Sequence, residues 1–295
     1  MSLVSFVQIK DSNFSRAIEA SLDLINYEFP KNIKKVVIKP NLCYYWDYST
    51  GQTTDPKIVA ALIELLRGKI SQDLNISIVE SDASAMKCKY SFKFLGYEKL
   101  AKKHYVKLVN LSEDKGEKVT VTVQGENFEF TMPETIKNAD LRINVPKIKY
   151  MSYTKISCAL KNIFGCNPNP KKFRYHPKID ETIVALNKIM KFDLHILDGL
   201  IVAGSHPTKL DLVMASQDPV ALDTAAAKIA GVNPRTVRHI KLAHKEGLGN
   251  ITYIPKGENP ETFARKFPKK KLKHKILASA YKIATKTHLL DTELL

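Results

Sequence analysis

The strongest constraint on the fold of this chain is an alternation between short β-branched runs and amphipathic helical segments. The run KKVVIKP (34–40) precedes TTDPKIVAALIELLRGKI, in which Asp55 and Pro56 supply the N-cap and the first-turn proline of a helix. NISIVESD (75–82) and SFKFLGYEKLAKKH (91–104) repeat the pattern. Regular alternation of this kind predicts an α/β fold with a mostly parallel sheet flanked by helices.

One segment interrupts this alternation. Residues 117–133 place alternating apolar residues on either side of a QGEN turn, which predicts a β-hairpin insertion. The strand and helix pattern then resumes. It predicts strands at 141–146, 193–199 and 211–216, and helices over roughly 154–164, 178–190 and 218–231.

The composition changes after about residue 250. We therefore predict an α/β domain over residues 1–250 and a basic C-terminal extension over 251–295. Residues 266–275 (KFPKKKLKHK) read as a solvated basic connector. Residues 276–290 have helical spacing, so we expect them to dock on the body of the protein or to lie on an anionic surface.

The chain has 295 residues and a formal net charge of +16 at pH 7, which favours anionic partners. These partners include a small anionic molecule, nucleic acid or an acidic membrane surface. The N-terminus lacks a basic region followed by an apolar one, and the apolar run IVAALIELL is too short to cross a bilayer. We predict a cytoplasmic protein without a transmembrane segment. The sequence sets no oligomeric state.

The four cysteines, Cys43, Cys88, Cys158 and Cys166, form no C-x-x-C pair. Reduced, buried thiols are therefore expected, and an iron–sulfur cluster is disfavoured. An iron–sulfur-associated electron-transfer protein stays open as an alternative, which requires at least three of these cysteines to converge.

Polar residues follow each predicted strand. In open α/β sheets, ligands bind outside the carboxyl ends of the strands, so we expect these residues to meet around one cavity. The strand-end residues are Lys39 and Asn41, Glu80 and Asp82, Lys147 and Lys149, Asp198, and Ser216 and Asp218.

The mixture of lysines and carboxylates suits an anionic ligand. We assign ligand binding to Lys39, Asn41, Ser216 and Asp218, and catalysis to Lys147, Lys149 and Asp198. A divalent metal ion on Glu80, Asp82 and Asp198 is a further hypothesis. The alternative is that the lysines and carboxylates simply form salt bridges with one another.

Two loop histidines, His176 and His206, are candidates for an acid, a base or a ligand, whereas His195 lies in an apolar strand and suits the core. The sequence contains no Walker loop, no G-x-G-x-x-G after a strand, no nucleophile elbow and no H-E-x-x-H. The enzyme classes that these motifs define are therefore disfavoured.

The segments VVIKPNL, NVPKIKYMSYTKISCALKNIFG, ILDGL and VMASQDPVALD occur in this order across roughly residues 34–232. This succession resembles the domain-of-unknown-function 362 family, which implies an α/β domain. The resemblance adds Lys161 and Asn162 to the ligand-binding set and places Asp223 among the motif positions. Met151 stands where the family usually has a histidine, and the ferredoxin-type cysteine run of some members is absent.

The leading hypothesis is an enzyme or a binding domain for a small phosphorylated or carboxylated metabolite. The main alternative is a nucleic-acid-binding protein. That alternative predicts a continuous basic face with exposed aromatic residues such as Tyr44, Tyr45 and Trp46, rather than a closed pocket.

Overall fold

The computed structural model describes residues 1–42 and 44–269. These residues form a large sheet, a separate two-stranded hairpin and helices on both faces of the large sheet. The strands are β1 (Ser2–Gln8), β2 (Lys35–Pro40), β3 (Asn75–Glu80), β4 (Lys107–Asn110), β5 (Gly116–Val123), β6 (Glu126–Pro133), β7 (Leu141–Val145), β8 (Lys147–Met151), β9 (Lys155–Ser157), β10 (Leu194–Ala203), β11 (Pro207–Ser216) and β12 (Tyr253–Gly257).

The α-helices are α1 (Phe14–Leu24), α2 (Pro56–Lys69), α3 (Cys88–Phe94), α4 (Tyr97–His104), α5 (Glu134–Lys137), α6 (Ala159–Asn162), α7 (Ile179–Ile189), α8 (Pro219–Ile229), α9 (Arg238–Lys245) and α10 (Pro260–Lys266). Short 3₁₀ helices cover Tyr48–Thr50, Ile163–Cys166, Lys172–Lys178 and Pro234–Thr236.

The main path of the large sheet runs in the order β12, β1, β11, β10, β7, β2, β3, β4. The strands from β10 to β4 along this path are parallel, which confirms the predicted fold class. β11 is antiparallel to both of its neighbours, β10 and β1. β8 follows β7 after Pro146, pairs in parallel with β10, and forms a hairpin with β9.

The core has two layers because successive side chains of a strand point to opposite faces of the sheet. In β2, Val36 and Ile38 pack in one layer and Val37 packs in the other. The first layer lies under α1 to α4, and the second lies under α6 to α9. The predicted hairpin insertion is β5 and β6, which pair over their whole length from Gly116 to Pro133.

Two predicted helices differ from the structure. The helix expected over 91–104 is two helices, because Gly96 has a left-handed φ of 82° that ends one and begins the other. The helix expected over 154–164 is helical only from Ala159, because Lys155–Ser157 pairs with β8 as β9. Backbone pairing there overrides the local helical pattern.

The sheet and the core continue beyond residue 250, into the segment that the sequence assigned to the extension. β12 pairs in parallel with β1, and Phe263 and Phe267 are buried. The rest of the predicted extension, including the stretch 276–290, lies outside the described residues. Among the residues that the structure describes, none of the helices has the length and apolar character needed to cross a membrane.

Candidate functional site

A cavity of about 230 Å³ opens at the carboxyl ends of β2 and β3, beside α6 and the 3₁₀ helices that follow it. Six of the strand-end and family-motif residues that the sequence proposed for the site line this cavity. They are Lys39, Asn41, Glu80, Lys149, Lys161 and Asn162. The location agrees with the general position of ligand sites in open α/β sheets.

Lys39 and Glu80 form a buried ion pair in the wall of the cavity. The Nζ of Lys39 donates to Oε2 of Glu80 at 2.8 Å and to the carbonyl of Pro40 at 2.6 Å. The other carboxylate oxygen of Glu80 accepts from the Ser81 amide. Gly165 packs so closely that a Cβ there would lie 3.0 Å from both side chains. The backbone at Gly165 therefore covers the pair closely, and a larger residue there would push against the ends of both side chains.

Lys172 adds a second buried ammonium group beside this pair. Its Nζ donates to the Ser81 hydroxyl at 2.5 Å, and that hydroxyl donates to the Gly165 carbonyl at 2.5 Å. Burial lowers the pKa of Lys172 to about 8; the charge of Lys39 acts in the same direction, and Glu80 opposes it. The Lys172 amine therefore titrates close to neutral pH.

A chain of side-chain amides connects the cavity to the sheet. Lys149 Nζ donates to Oδ1 of Asn41 at 2.7 Å, and Nδ2 of Asn41 donates to Oδ1 of Asn162 at 2.9 Å. Asn162 in turn donates to Oδ1 of Asn144 at 2.7 Å. Asn144 is fully buried and also contacts Nδ1 of His195 at 3.1 Å. This network fixes the orientation of the polar groups that face the cavity.

His176 lines the cavity and packs against two aromatic rings, with ring centroids 4.9 Å from those of both Tyr153 and Phe173. Burial, together with the charge of Lys161, lowers the pKa of His176 to about 4. The imidazole is therefore neutral at neutral pH and can both donate and accept a hydrogen bond. His206, the other loop candidate, hydrogen-bonds with its neighbour Ser205 and does not line this cavity.

Lys147 and Asp198, which the sequence proposed as catalytic, pair with each other and do not line the cavity. Lys147 Nζ lies 3.1 Å from Oδ1 of Asp198, and both side chains are almost completely buried. Oδ2 of Asp198 accepts from the amide of Asp55, the N-cap of α2. The pair therefore joins β8 and β10 to the start of that helix.

Ser216 and Asp218 lie toward the amino ends of the parallel strands, away from the end where the cavity opens. The expectation that every strand end shares one edge is wrong for β11, because this strand is antiparallel and Ser216 pairs with His195 near the start of β10. Ser216 donates to the Leu3 carbonyl. Asp218 caps α8 by accepting from the amides of Val220 and Ala221.

The three carboxylates proposed for a divalent cation lie with separate lysines. Glu80 pairs with Lys39 and Asp198 with Lys147, while Asp82 is 2.9 Å from Lys87 Nζ. Burial disfavours ionised Asp82, but hydrogen bonds from the Cys88 amide and Lys87 outweigh it and lower its pKa. Within residues 1–42 and 44–269, no three His, Cys, Asp or Glu side chains are grouped to hold a metal ion.

Asp223 is fully buried and anchors α6, the helix that carries Lys161 and Asn162. Its carboxylate accepts from the amides of Ala159 and Leu160. His239 also faces it, with Nε2 3.8 Å from Oδ2 of Asp223. Asp223 therefore holds the start of α6 in place, and with it the wall of the cavity that this helix forms.

Cys88, Cys158 and Cys166 are buried and reduced, and burial raises the pKa of each thiol. Cys43 lies outside the described residues. The charges of Lys39 and Lys172 act on both Cys88 and Cys166, which places these two thiols near the cavity.

Sequence reasoning missed Lys172, which lines the cavity, and Ser81, whose hydroxyl accepts from the Lys172 ammonium. Ser81 lies between two residues that were chosen, Glu80 and Asp82. Lys172 lies in the connection between α6 and α7, away from any strand end. The signal was available, because a long connection without strands or regular helix is often functional in a compact domain.

The described fold and site define an α/β protein with a polar, lysine-rich cavity at the carboxyl edge of a mostly parallel sheet. Residues 36–228 match the family described as Domain of unknown function (DUF362), and the chain belongs to that family. The resemblance seen in the sequence is confirmed.

A relative from Synechocystis, the thylakoid-associated protein sll1697, is 30% identical over 124 residues. The match covers 38% of this chain and 39% of that protein, so the chain spans well under half of its length. Two solved structures are distantly similar. The lactate racemase apoprotein from Thermoanaerobacterium thermosaccharolyticum has a TM-score of 0.48 and 14% identity, covering 79% of this chain and 58% of its own. A Thermotoga maritima protein has a TM-score of 0.38 and 11% identity, covering 82% and 59%.

Proposed function

We propose that this protein binds a small anionic metabolite, phosphorylated or carboxylated, in the cavity beside β2 and β3, as an enzyme or as a binding domain. The observation that carries the proposal is the charge of the lining: four lysines face a single carboxylate, Glu80. The lysines are Lys39, Lys149, Lys161 and Lys172. Ammonium groups in a partly dry site attract phosphate and carboxylate oxygens strongly.

The size and the titrating groups of the cavity fit the same proposal. A volume of about 230 Å³ suits a small metabolite rather than a polymer. Neutral His176 and the Lys172 amine, with its pKa of about 8, are the groups on this wall suited to moving a proton in a reaction near neutral pH. They replace Lys147 and Asp198 as our candidates for acid or base, since that pair does not line the cavity.

Three earlier expectations stay as predictions. A divalent cation that accompanies a phosphorylated ligand, for which the sequence proposed Glu80, Asp82 and Asp198, is one of them. We retain the prediction of a cytoplasmic location, since the name of the Synechocystis relative concerns that protein alone. The electron-transfer alternative still requires a third cysteine to join Cys88 and Cys166.

A thermal-shift series on the purified chain tests the proposal. We expect inorganic phosphate, phosphorylated metabolites or carboxylates to raise the melting temperature, because a ligand that binds the folded state stabilises it by mass action. Lys172→Met and Lys161→Met should reduce the shift strongly. Lys118→Met is the matched control, because Lys118 is an exposed residue of the hairpin that pairs with Glu129. Equal losses in all three variants would show non-specific charge screening and contradict the proposal.

A further inference from the structure

An exposed group of aromatic side chains lies beside the mouth of the cavity. It consists of Tyr44, Tyr45 and Trp46 from the loop after β2 and Tyr90 and Phe94 from α3, and we call it the aromatic patch. Of the eight large hydrophobic side chains that are exposed among the described residues, these five lie together. Phe94 is 62% exposed and Trp46 is 51% exposed. Contiguous exposed apolar surface of this kind marks an interaction site more often than scattered residues do.

The aromatic patch is an ordered structure rather than a chance group of rings. Tyr45 packs edge-on against Phe94 at 5.7 Å between centroids, and Tyr90 stacks on Phe94 at 5.9 Å. The loop is held to α3 by two hydrogen bonds, from Ser91 Oγ to the Tyr44 carbonyl and from the Lys87 amide to the Tyr45 hydroxyl. These contacts hold the loop against α3, so that the rings share one surface.

The charges around the aromatic patch are mostly positive. Lys87, Lys89 and Lys93 are exposed, and α3 contains no acidic residue. Asp82 offsets Lys87, and Asp47 lies beyond Trp46 on the loop, where its side chain accepts from the Ser49 amide. Tyrosine and tryptophan rings flanked by lysines are the residues that favour the headgroup region of a bilayer containing anionic lipid.

We propose that the aromatic patch docks this protein on an anionic lipid bilayer, with its rings in the headgroup region and Lys89 and Lys93 against the lipid charges. Tyr44 also lines the cavity, so docking places the mouth of the cavity at the bilayer surface. Single-stranded nucleic acid suits this surface less well, because base stacking needs a free ring face. Tyr90 already stacks on Phe94 and has the Lys89 ammonium 4.9 Å from its centroid.

The fluorescence of Trp46 tests the proposal directly, because it is the only tryptophan in the chain. The full-length protein is titrated with vesicles of phosphatidylcholine alone and with vesicles that also contain phosphatidylglycerol. With the anionic vesicles, we expect Trp46 emission to shift to the blue and brominated acyl chains to quench it. Attachment through another basic part of the chain would leave the emission unchanged, and that result would overturn the proposal.

Variants separate the aromatic patch from other surfaces. Tyr90→Ser with Phe94→Ser should weaken binding to the anionic vesicles by about tenfold or more, because two rings no longer enter the headgroup region, and should leave the phosphate-induced thermal shift unchanged. Tyr105→Ser is the control, because Tyr105 is 87% exposed and does not belong to the patch. Equal vesicle binding by all these proteins would overturn the proposal. So would quenching of Trp46 by single-stranded oligonucleotides without any response to vesicles, which would assign the patch to nucleic acid.

Discussion

The protonation state of Lys172 determines how much positive charge the cavity holds near neutral pH. Burial lowers its pKa to about 8, so the side chain carries its charge below that pH and loses it above. Lys39 lies next to Lys172 but is paired with Glu80 at 2.8 Å. The charge offered to an anion therefore varies most at Lys172.

We predict that the affinity for an anionic ligand falls as the pH rises through about 8 and that Lys172→Gln removes this pH dependence. Phosphate binding measured by calorimetry across this pH range checks the prediction, with Lys118→Gln as the control. The same pKa shift also affects folding. The pKa of Lys172 in the folded protein lies below the ordinary value of 10.5, so the unfolded chain binds more protons than the folded protein between pH 8 and 10.5. The free energy of unfolding therefore rises with pH in this range. An unchanged affinity in this range would contradict the role of Lys172.

The ion pair of Lys147 and Asp198 gives a second prediction at the residue scale. Both side chains are buried, and Asp198 also accepts from the amides of Asp55 and Leu200. Lys147→Met leaves a buried carboxylate without its cation, so we expect a loss of about 3–5 kcal/mol in the free energy of unfolding. Urea denaturation measures it.

Adding Asp198→Asn to Lys147→Met should recover part of this loss, because the remaining buried side chain is then neutral. If either the single or the double variant folds, its ligand binding should change little, since neither Lys147 nor Asp198 lines the cavity. Loss of binding with unchanged stability would instead return Lys147 to the catalytic role that the sequence suggested.

At the scale of elements, a buried histidine connects the helices behind the cavity. His239 of α9 has Nδ1 3.4 Å from Asp180 of α7, and its Nε2 faces Asp223, which anchors α6. Burial alone would lower its pKa, but the two carboxylates outweigh burial and raise the pKa above the ordinary value. The protonated ring therefore attracts both neighbouring carboxylates.

We predict that this contact stabilises the protein in acid rather than in base. Because the folded pKa of His239 is raised, its contribution is fully present below the ordinary histidine pKa and is lost as the pH rises through the raised value. Unfolding measured across neutral pH for the wild type and His239→Gln checks this. The difference in stability between the two proteins should be largest at the acidic end; a constant difference would mean that the ring stays neutral.

At the scale of the whole molecule, the parallel half of the sheet follows from sequence because each strand and its following helix are local patterns. The direction of β11 does not follow from its own residues, since a buried strand has the same apolar composition in either direction. The connection between β10 and β11 was the usable signal. The predicted strands leave only residues 200–210 between them, and in the structure only residues 204–206 connect the two strands, whereas a parallel strand would need a crossover of a dozen or more.

The candidate site likewise contains residues whose positions could be predicted from the sequence and residues whose positions could not. Lys39, Asn41 and Glu80 were predictable from the edge at which parallel strands end. The sequence marks the connection that carries Lys172 as unusually long, but the position of its side chain depends on how that connection, between α6 and α7, packs back over β3. The inward pairing of Lys147 was not predictable for a related reason: a charged residue at a strand end can turn inward to a carboxylate on the neighbouring strand.

The C-terminal boundary of the folded body gives the last prediction. β12 pairs with β1 at the edge of the sheet, and Phe263 and Phe267 are 2% and 3% exposed. The Pro268 carbonyl accepts from the Ser205 amide at 2.8 Å, so the chain contacts the body up to that residue. A chain that ends after residue 269 should therefore unfold cooperatively, like the full-length protein.

A chain that ends after residue 250 should be less stable or insoluble, because it uncovers β1 and the surface that both phenylalanines bury. Phe263→Ala in the full chain is the matched test of the same contact, with an expected cost of about 3–5 kcal/mol in the free energy of unfolding. Urea denaturation and solubility of the three proteins measure the difference. If the chain ending after residue 250 unfolded with the same midpoint as the chain ending after residue 269, then β12 and α10 would contribute nothing to the folded body, and the domain would end where the composition changes.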